Sequence, residues 1–506
     1  MRRVLNKLLL IIGIIFLILV LISNVLFDVR LANDLSEYAN VEFIHVVNFI
    51  LVCILSVGLT YLFKKVELIE KLKPKYKVII VVAILVLYFI AQIGWINYRN
   101  ASPGWDSGSV YEIAKDLYNG NSEEVTNSLY AEKHPHQIPL AFTESVILRI
   151  QRSDHFRIFQ YFNALANVAI VLALFFISKE LIPNSKYIAL CLGLAFIPLS
   201  LLTTFIYGDI VGLAFALWSI LFLIKSKKQE RWYYVLISSA LLAFAIICRK
   251  NMLIFAIAEV IYLILNIILE KHELKKTLLS ILMILVFLII SIIPSKIIIA
   301  LIQNKYGINA ANQAPATTYL YIGMTTGERG NGWYNSNADW VWDYPIDEAK
   351  EMYNNAIKER TKFFITHPKD LIMFYATKNI SMYAENTYAG LFYNESFSFG
   401  YDEYKNEEKD AIVISFQERL QLYQKALMII VFTFALVILI KNRKEISNEE
   451  LLLLLVFIGG FLFHNMWEAK SRYIIPYLVI LIPLASKGLV AILKDYPNCK
   501  GIKLLK

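Results

Sequence analysis

Cysteine is scarce in this chain, and what there is lies scattered. Cys53, Cys191, Cys248 and Cys499 form no CxxC pair and no zinc spacing, which leaves no basis for a disulfide framework or a structural zinc. Charge is thin as well: 18% of the residues are Asp, Glu, Lys or Arg, against about 25% in soluble domains. With 20 glycines and 13 prolines in 506 residues, a collagen-like or low-complexity chain is excluded. There is no HExxH, and Gly327, Gly330 and Gly332 are not followed by the Gly-Lys-Ser/Thr of a phosphate loop. What fills the chain is apolar. Hydrophobic residues make up 58%, the composition of a polytopic membrane protein and not of a disordered segment or a cytosolic enzyme.

The formal charge of +9 raises the question of nucleic acid, which needs a continuous basic face. The positives instead sit in short loops between apolar runs: Lys64-Lys65, Lys71 to Lys77, Lys225 to Arg231, Lys271 to Lys276. That is the orientation signal of membrane insertion, and no nucleic-acid partner is expected. Runs of about 20 apolar residues fit near 4–26, 42–63, 77–95, 158–178, 187–204, 207–225, 232–248, 252–269, 277–297, 425–441, 450–465 and 473–492. About twelve transmembrane helices are therefore expected, all-α, with both termini and the basic loops cytoplasmic. Residues 138–150 are apolar but short and contain Glu144, so they are expected to lie along the outer interface.

This divides the chain into two N-terminal spans (1–76), a core (77–297) with an outer loop at 96–157, an α-rich extracytoplasmic domain (298–424) and a C-terminal membrane region with a cytoplasmic tail (425–506). In the outer loop, helical spacing over Ser109–Asn119 predicts an amphipathic helix, with Ser109 and Glu112 as a capping box and Gly120 as the stop. Further helices are expected over Ile346–Thr366 and after Pro368.

The outer side collects unusual ionisable residues. Asp106 (Gly-Trp-Asp-Ser-Gly) and Asp209 (Tyr-Gly-Asp) each read equally as helix starts; together they could serve as base and positioner for an acceptor hydroxyl. His134, Arg249, Lys250, Lys470 and Arg472 are positives on the side that ordinarily carries fewer of them. Interfacial snorkelling accounts for any one, whereas several in one cavity would hold an anion such as a lipid phosphate. His45 and His464 read as hydrogen-bonded core residues, and Trp333, Trp340, Trp342 and Trp467 as interfacial aromatics whose faces could also stack on sugar rings.

In this order the elements resemble the GT-C superfamily of membrane glycosyltransferases, the bacterial protein O-mannosyltransferase and aminoarabinose-transferase type above all. The likeness rests on Asp106 to Leu117, His134-Pro135, Tyr161 to Leu165, Tyr207-Gly-Asp209, Arg249-Lys250 and Glu468 to Tyr473. The resemblance implies an inverting transfer of a sugar from a polyprenyl-phosphate donor to a glycan, glycolipid or protein acceptor at the outer face of the cell membrane. It implies Asp106 as catalytic base, Asp209 as a second acid positioning the acceptor, and His134, Arg249, Lys250, Lys470 and Arg472 as the phosphate-binding set. No cofactor is expected; some members of the superfamily use a divalent metal, but no outer ligand cluster demands one. Two departures stand out: two additional spans precede the core, and His134 occupies a position where aminoarabinose transferases carry lysine. Three other readings stay open at this point: a polymerase or ligase of lipid-linked polysaccharide, a transporter or flippase of lipid-linked sugars, and a non-catalytic scaffold.

Overall fold

A computed structural model describes residues 2–31, 37–269, 274–394 and 407–495. Nine helices among the described residues are long and apolar enough to cross a membrane. Two further segments expected as spans, 187–204 and 473–492, are helix pairs bent by 49° and 48°. Each bend has a proline at its restart, Pro198 and Pro483, where the ring removes a backbone donor and crowds the preceding turn. The segment expected at 232–248 is the helix Tyr233–Cys248, short for a span at 16 residues. The chain is thus an α-helical integral membrane protein, with nine spans or up to eleven if each bent pair is one.

The first expected loop holds a surprise. Helix α1 (Arg2–Leu26) runs directly into strand β1 (Phe27–Leu31), which pairs antiparallel with β2 (Ala39–Phe43) before helix α2 (Val46–Lys65) begins. The alternation in Phe-Asp-Val-Arg-Leu buries Val29 and Leu31 and leaves Arg30 between them exposed, the period of a strand. Lys425 clamps this hairpin, reaching Asp28 at 3.0 Å. Helix α3 (Pro74–Arg99) then leads to the outer loop.

Helix α4 there spans Trp105–Asn119, four residues longer at its start than the sequence predicts. Ser109 is consequently inside the helix, and Gly104 takes the N-cap. Gly120 does end it, in left-handed backbone at φ +79. Residues 138–150 form the helix Ile138–Gln151, which packs on α4. Helices at Ile346–Thr366 and Pro368–Tyr383 appear where the pattern places them. The tyrosine-rich stretch is described only to residue 394; Tyr401 and Tyr404 lie outside the described residues, as does the tail beyond 495.

Basic residues of three described segments gather at one end. Lys77 and Lys186 both meet Glu70, at 3.0 and 2.5 Å, and Lys228 lies 3.5 Å from Glu180. Ser178 and Ser486, 2.6 Å apart, bring the last helix to the same end. The opposite end carries the 99–138 loop, the starts or ends at Asp209, Arg249 and Met466, and the 308–394 region, which surround a single cavity.

Candidate active site

The cavity has a volume of about 1200 Å³. Its architecture begins with a glycine. Gly208 adopts φ +76, and a Cβ there would stand 2.2 Å from the Cys248 carbonyl oxygen. Only glycine permits both the left-handed turn and this approach. The approach sets the start of helix Asp209–Lys228 against the end of helix Tyr233–Cys248. Asp209 and Arg249 are thereby neighbours: Asp209 Oδ1 is 2.9 Å from Arg249 Nε. Its other oxygen, Oδ2, accepts from Arg472 Nη1 at 2.8 Å.

Both guanidinium groups are further held by aromatic faces. Arg249 Cζ lies 4.1 Å from the Tyr207 ring centroid, and Arg472 Cζ lies 4.3 Å from Phe205 and 4.6 Å from Tyr393. A planar cation between π-faces, with a carboxylate on one edge, loses rotamer freedom on folding and not on ligand binding. One carboxylate between two guanidinium groups leaves a positive excess facing the cavity, which both arginines line. Asp209 is not among the lining residues. The sequence leads one to expect an acceptor hydroxyl against Asp209; the structure puts two guanidinium groups there.

Asp106 sits in the first turn of α4 and lines the same cavity as Arg249 and Arg472. Trp105 before it has φ +52, a backbone conformation that costs a non-glycine residue about 1–3 kcal/mol and that surrounding structure must enforce. Among the described residues no hydrogen bond or ion pair engages the Asp106 carboxylate. Tyr130, Tyr207 and Tyr319 surround it; burial chiefly raises their phenol pKa values, with Asp106 one of several charges that add to it, so they stay protonated donors. Tyr207 Oη is 3.0 Å from Tyr130 Oη and accepts from Gln137 Nε2 at 2.7 Å.

His134 precedes the turn Pro135–Gln137 that starts the second outer helix, and its Nδ1 is 2.8 Å from Tyr319 Oη. Burial lowers its pKa, with Asp106 opposing and Lys133 adding, and His136 is lowered further by burial and then His134. Both rings are neutral near pH 7, so each offers a hydrogen bond and not a charge. Lys250 lines the cavity with its side chain exposed and, among the described residues, without an ion partner. Lys470 is paired: Glu37 Oε2 lies 2.8 Å from its Nζ and Glu468 Oε1 3.9 Å. All seven residues singled out in the sequence therefore converge on one end of the bundle, six of them on the cavity wall.

Glu37, Glu468, Tyr319 and Tyr393 complete the site and carry no motif of their own. Glu37 belongs to the acidic 28–42 stretch, whose return to a cavity built 70 and more residues later has no local signature. Burial raises the Glu468 carboxyl, against the pull of Lys470, to about 6. The segment leading into 468–472 is anchored by Lys378 of the helix Pro368–Tyr383, fully buried, whose Nζ donates to the carbonyls of Gly323, Asn465 and Trp467 at 2.7, 3.0 and 2.7 Å. Burial lowers this lysine to about 7.

One flank of the cavity is apolar. Leu253, Ile254, Ile257 and Phe463 line it, the first three in the opening turns of the helix that follows Arg249 and Lys250, and Ile257 is 61% exposed. Trp342, exposed, and Trp467 also line the cavity. Among the described residues no group of three His, Cys, Asp or Glu side chains could hold a metal ion.

In comparison with known families, the model of a family described as conserved hypothetical integral membrane protein aligns with residues 1–490. No curated protein matches the chain.

Proposed function

Because the chain belongs to the conserved hypothetical integral membrane protein family, whose description leaves the chemistry to the cavity, we propose that it is an integral membrane glycosyltransferase of GT-C type. It transfers a sugar from a polyprenyl-phosphate donor to a hydroxyl acceptor. The observation that carries this reading is one cavity lined by an unengaged carboxylate, Asp106, by two carboxylate-anchored guanidinium groups, Arg249 and Arg472, and by an apolar flank.

Each part has a task. The prenyl chain lies along Leu253, Ile254 and Ile257, where an apolar tail gains from leaving water. The donor phosphate meets Arg249, Arg472 and Lys250. His134 adds a neutral hydrogen bond, and Trp342 or Trp467 offers a face for a sugar ring. Asp106 accepts the acceptor's hydroxyl proton as the oxygen attacks the anomeric carbon from the side opposite the phosphate. The bond from the anomeric carbon to the phosphate oxygen breaks, its electron pair leaves with the phosphate, and the configuration inverts. Phosphate is a weak base, so the departing charge needs fixed cations and no general acid. Asp209 works on the donor side, fixing both arginines.

On this reading the site faces outside the cell: Lys77, Lys186 and Lys228 lie at the opposite end of the bundle, as the distribution of Lys and Arg about a membrane favours for a cytoplasmic face. The two bent helices are a feature that transporters share. They favour transport less than transfer, because the residues at their breaks, Phe196 and Ile480 to Ile482, are buried and are not among those lining the cavity. The test is incubation of purified protein with labelled polyprenyl-phosphate sugars: release of polyprenyl phosphate dependent on an acceptor supports transfer, and donor movement across vesicles without cleavage supports transport.

A further inference from the structure

The two N-terminal spans deliver one side chain to the cavity that the mechanism above leaves unused. Glu37 enters from the segment before β2, only 6% exposed, at φ +52, a left-handed backbone that the surroundings must hold. Its Oε2 accepts from Lys470 Nζ at 2.8 Å and its Oε1 from Tyr393 Oη at 2.7 Å. The Tyr393 ring in turn lies 4.6 Å from Arg472 Cζ. Glu37 therefore neighbours both cations of the 470–472 loop, one by an ion pair and one through an aromatic ring. Burial disfavours its charge, and Lys470 more than restores it, holding the carboxyl below its ordinary range.

We infer that Glu37 is a counter-charge that makes the site discriminate between donor and product: by neutralising Lys470 it keeps the released polyprenyl phosphate from being retained. The inference rests on the glycosyltransferase reading. A sugar phosphodiester carries one negative charge, whereas the phosphomonoester left after transfer carries about −1.5 to −2 at pH 7. Coulombic attraction scales with the product of the charges, so every uncompensated cation favours the product about twice as strongly, in free energy, as the donor. A pocket with Arg249, Lys250, Lys470 and Arg472 all unopposed would be inhibited by what it makes. Asp209 offsets part of the arginine pair and Glu37 offsets Lys470, with Glu468 a more distant contributor at 3.9 Å. The N-terminal hairpin is on this account a part of the active site, because it is what carries the second counter-charge there.

The experiment compares donor KM, kcat and inhibition by added polyprenyl phosphate in the purified full-length protein and in Glu37→Gln and Glu37→Asp. Glu37→Gln is expected to bind polyprenyl phosphate about tenfold tighter and the donor only about threefold tighter, the square root of that factor. Its kcat falls as release slows, while Glu37→Asp, which keeps the charge, stays near wild type. Weakened or unchanged product binding in Glu37→Gln overturns the inference and leaves transfer standing; a wild-type protein that neither binds polyprenyl phosphate nor transfers sugar overturns the underlying reading instead. Should Glu37→Gln fail to fold with Lys470 unpaired, the double variant Glu37→Gln, Lys470→Met removes both charges together. A product-to-donor preference near wild type is then expected, and a tenfold change in that preference overturns the inference.

Discussion

Arg472 donates to Asp209 at 2.8 Å across 263 residues of sequence, and that one contact joins the last membrane segment to the middle of the core. Breaking a buried charge pair from one side typically costs about 3–5 kcal/mol, but here the loss also frees Arg249 and Arg472 to turn. Asp209→Asn is expected to lower thermal stability and, because losing the orientation of two arginines outweighs the counter-charge removed, to raise donor KM. In a double-mutant cycle with Arg472→Gln the two effects should fall short of additivity by about 0.5–3 kcal/mol. Full additivity in purified protein would show that the pair is not coupled.

Gly208→Ala tests the turn that aligns the pair. The added methyl meets the Cys248 carbonyl at 2.2 Å in a backbone that disfavours side chains, so the helix start must shift. A loss of more than about 1 kcal/mol in stability is expected, together with a donor KM raised as in Asp209→Asn. Unchanged melting and kinetics would mean the turn has slack.

Lys378 gives a pH signature. Its folded pKa is lowered from its ordinary value to about 7, so between about 7 and 10.5 the unfolded chain binds more protons than the folded one. Stability from this group therefore rises with pH across that window. The melting temperature of wild type relative to Lys378→Met is expected to increase from pH 7 to pH 10; a pH-independent difference would contradict the burial of the amine.

Ile257→Asp tests the apolar flank. A charge at that exposed position on the cavity flank is expected to raise KM for a long-chain prenyl donor about tenfold or more and to leave a short-chain, water-soluble donor unaffected. Equal effects on both donors would remove the flank from lipid binding.

Much of this was legible in the order of residues. Spans announce themselves through uninterrupted apolar runs, since each must satisfy its backbone internally: nine of the twelve expected segments fall on helices long enough to cross a membrane, two on bent pairs and one on a helix of 16 residues. The singled-out residues meet because Asp106, His134, Asp209, Arg249 and Arg472 each sit at a helix end on the same side, which alternation of spans alone dictates. Less legible was anything set by a short irregular segment. The strands at 27–31 and 39–43 are only five residues each, too short for a periodic signal beside a long span. The start of α4 at Trp105 overrides a plausible capping box because Trp105 takes a conformation its residue type disfavours. Glu37 and Lys378 are single charges whose meaning is their partner, Lys470 in one case and three carbonyls in the other. Partners distant in sequence leave no local trace.

The most direct test of the central claim is Asp106→Asn, purified and measured both for donor binding and for sugar transfer. The carboxamide keeps the shape and removes the base, so donor affinity near wild type with transfer reduced about a hundredfold or more is expected. Transfer at the wild-type rate by that variant would contradict the account.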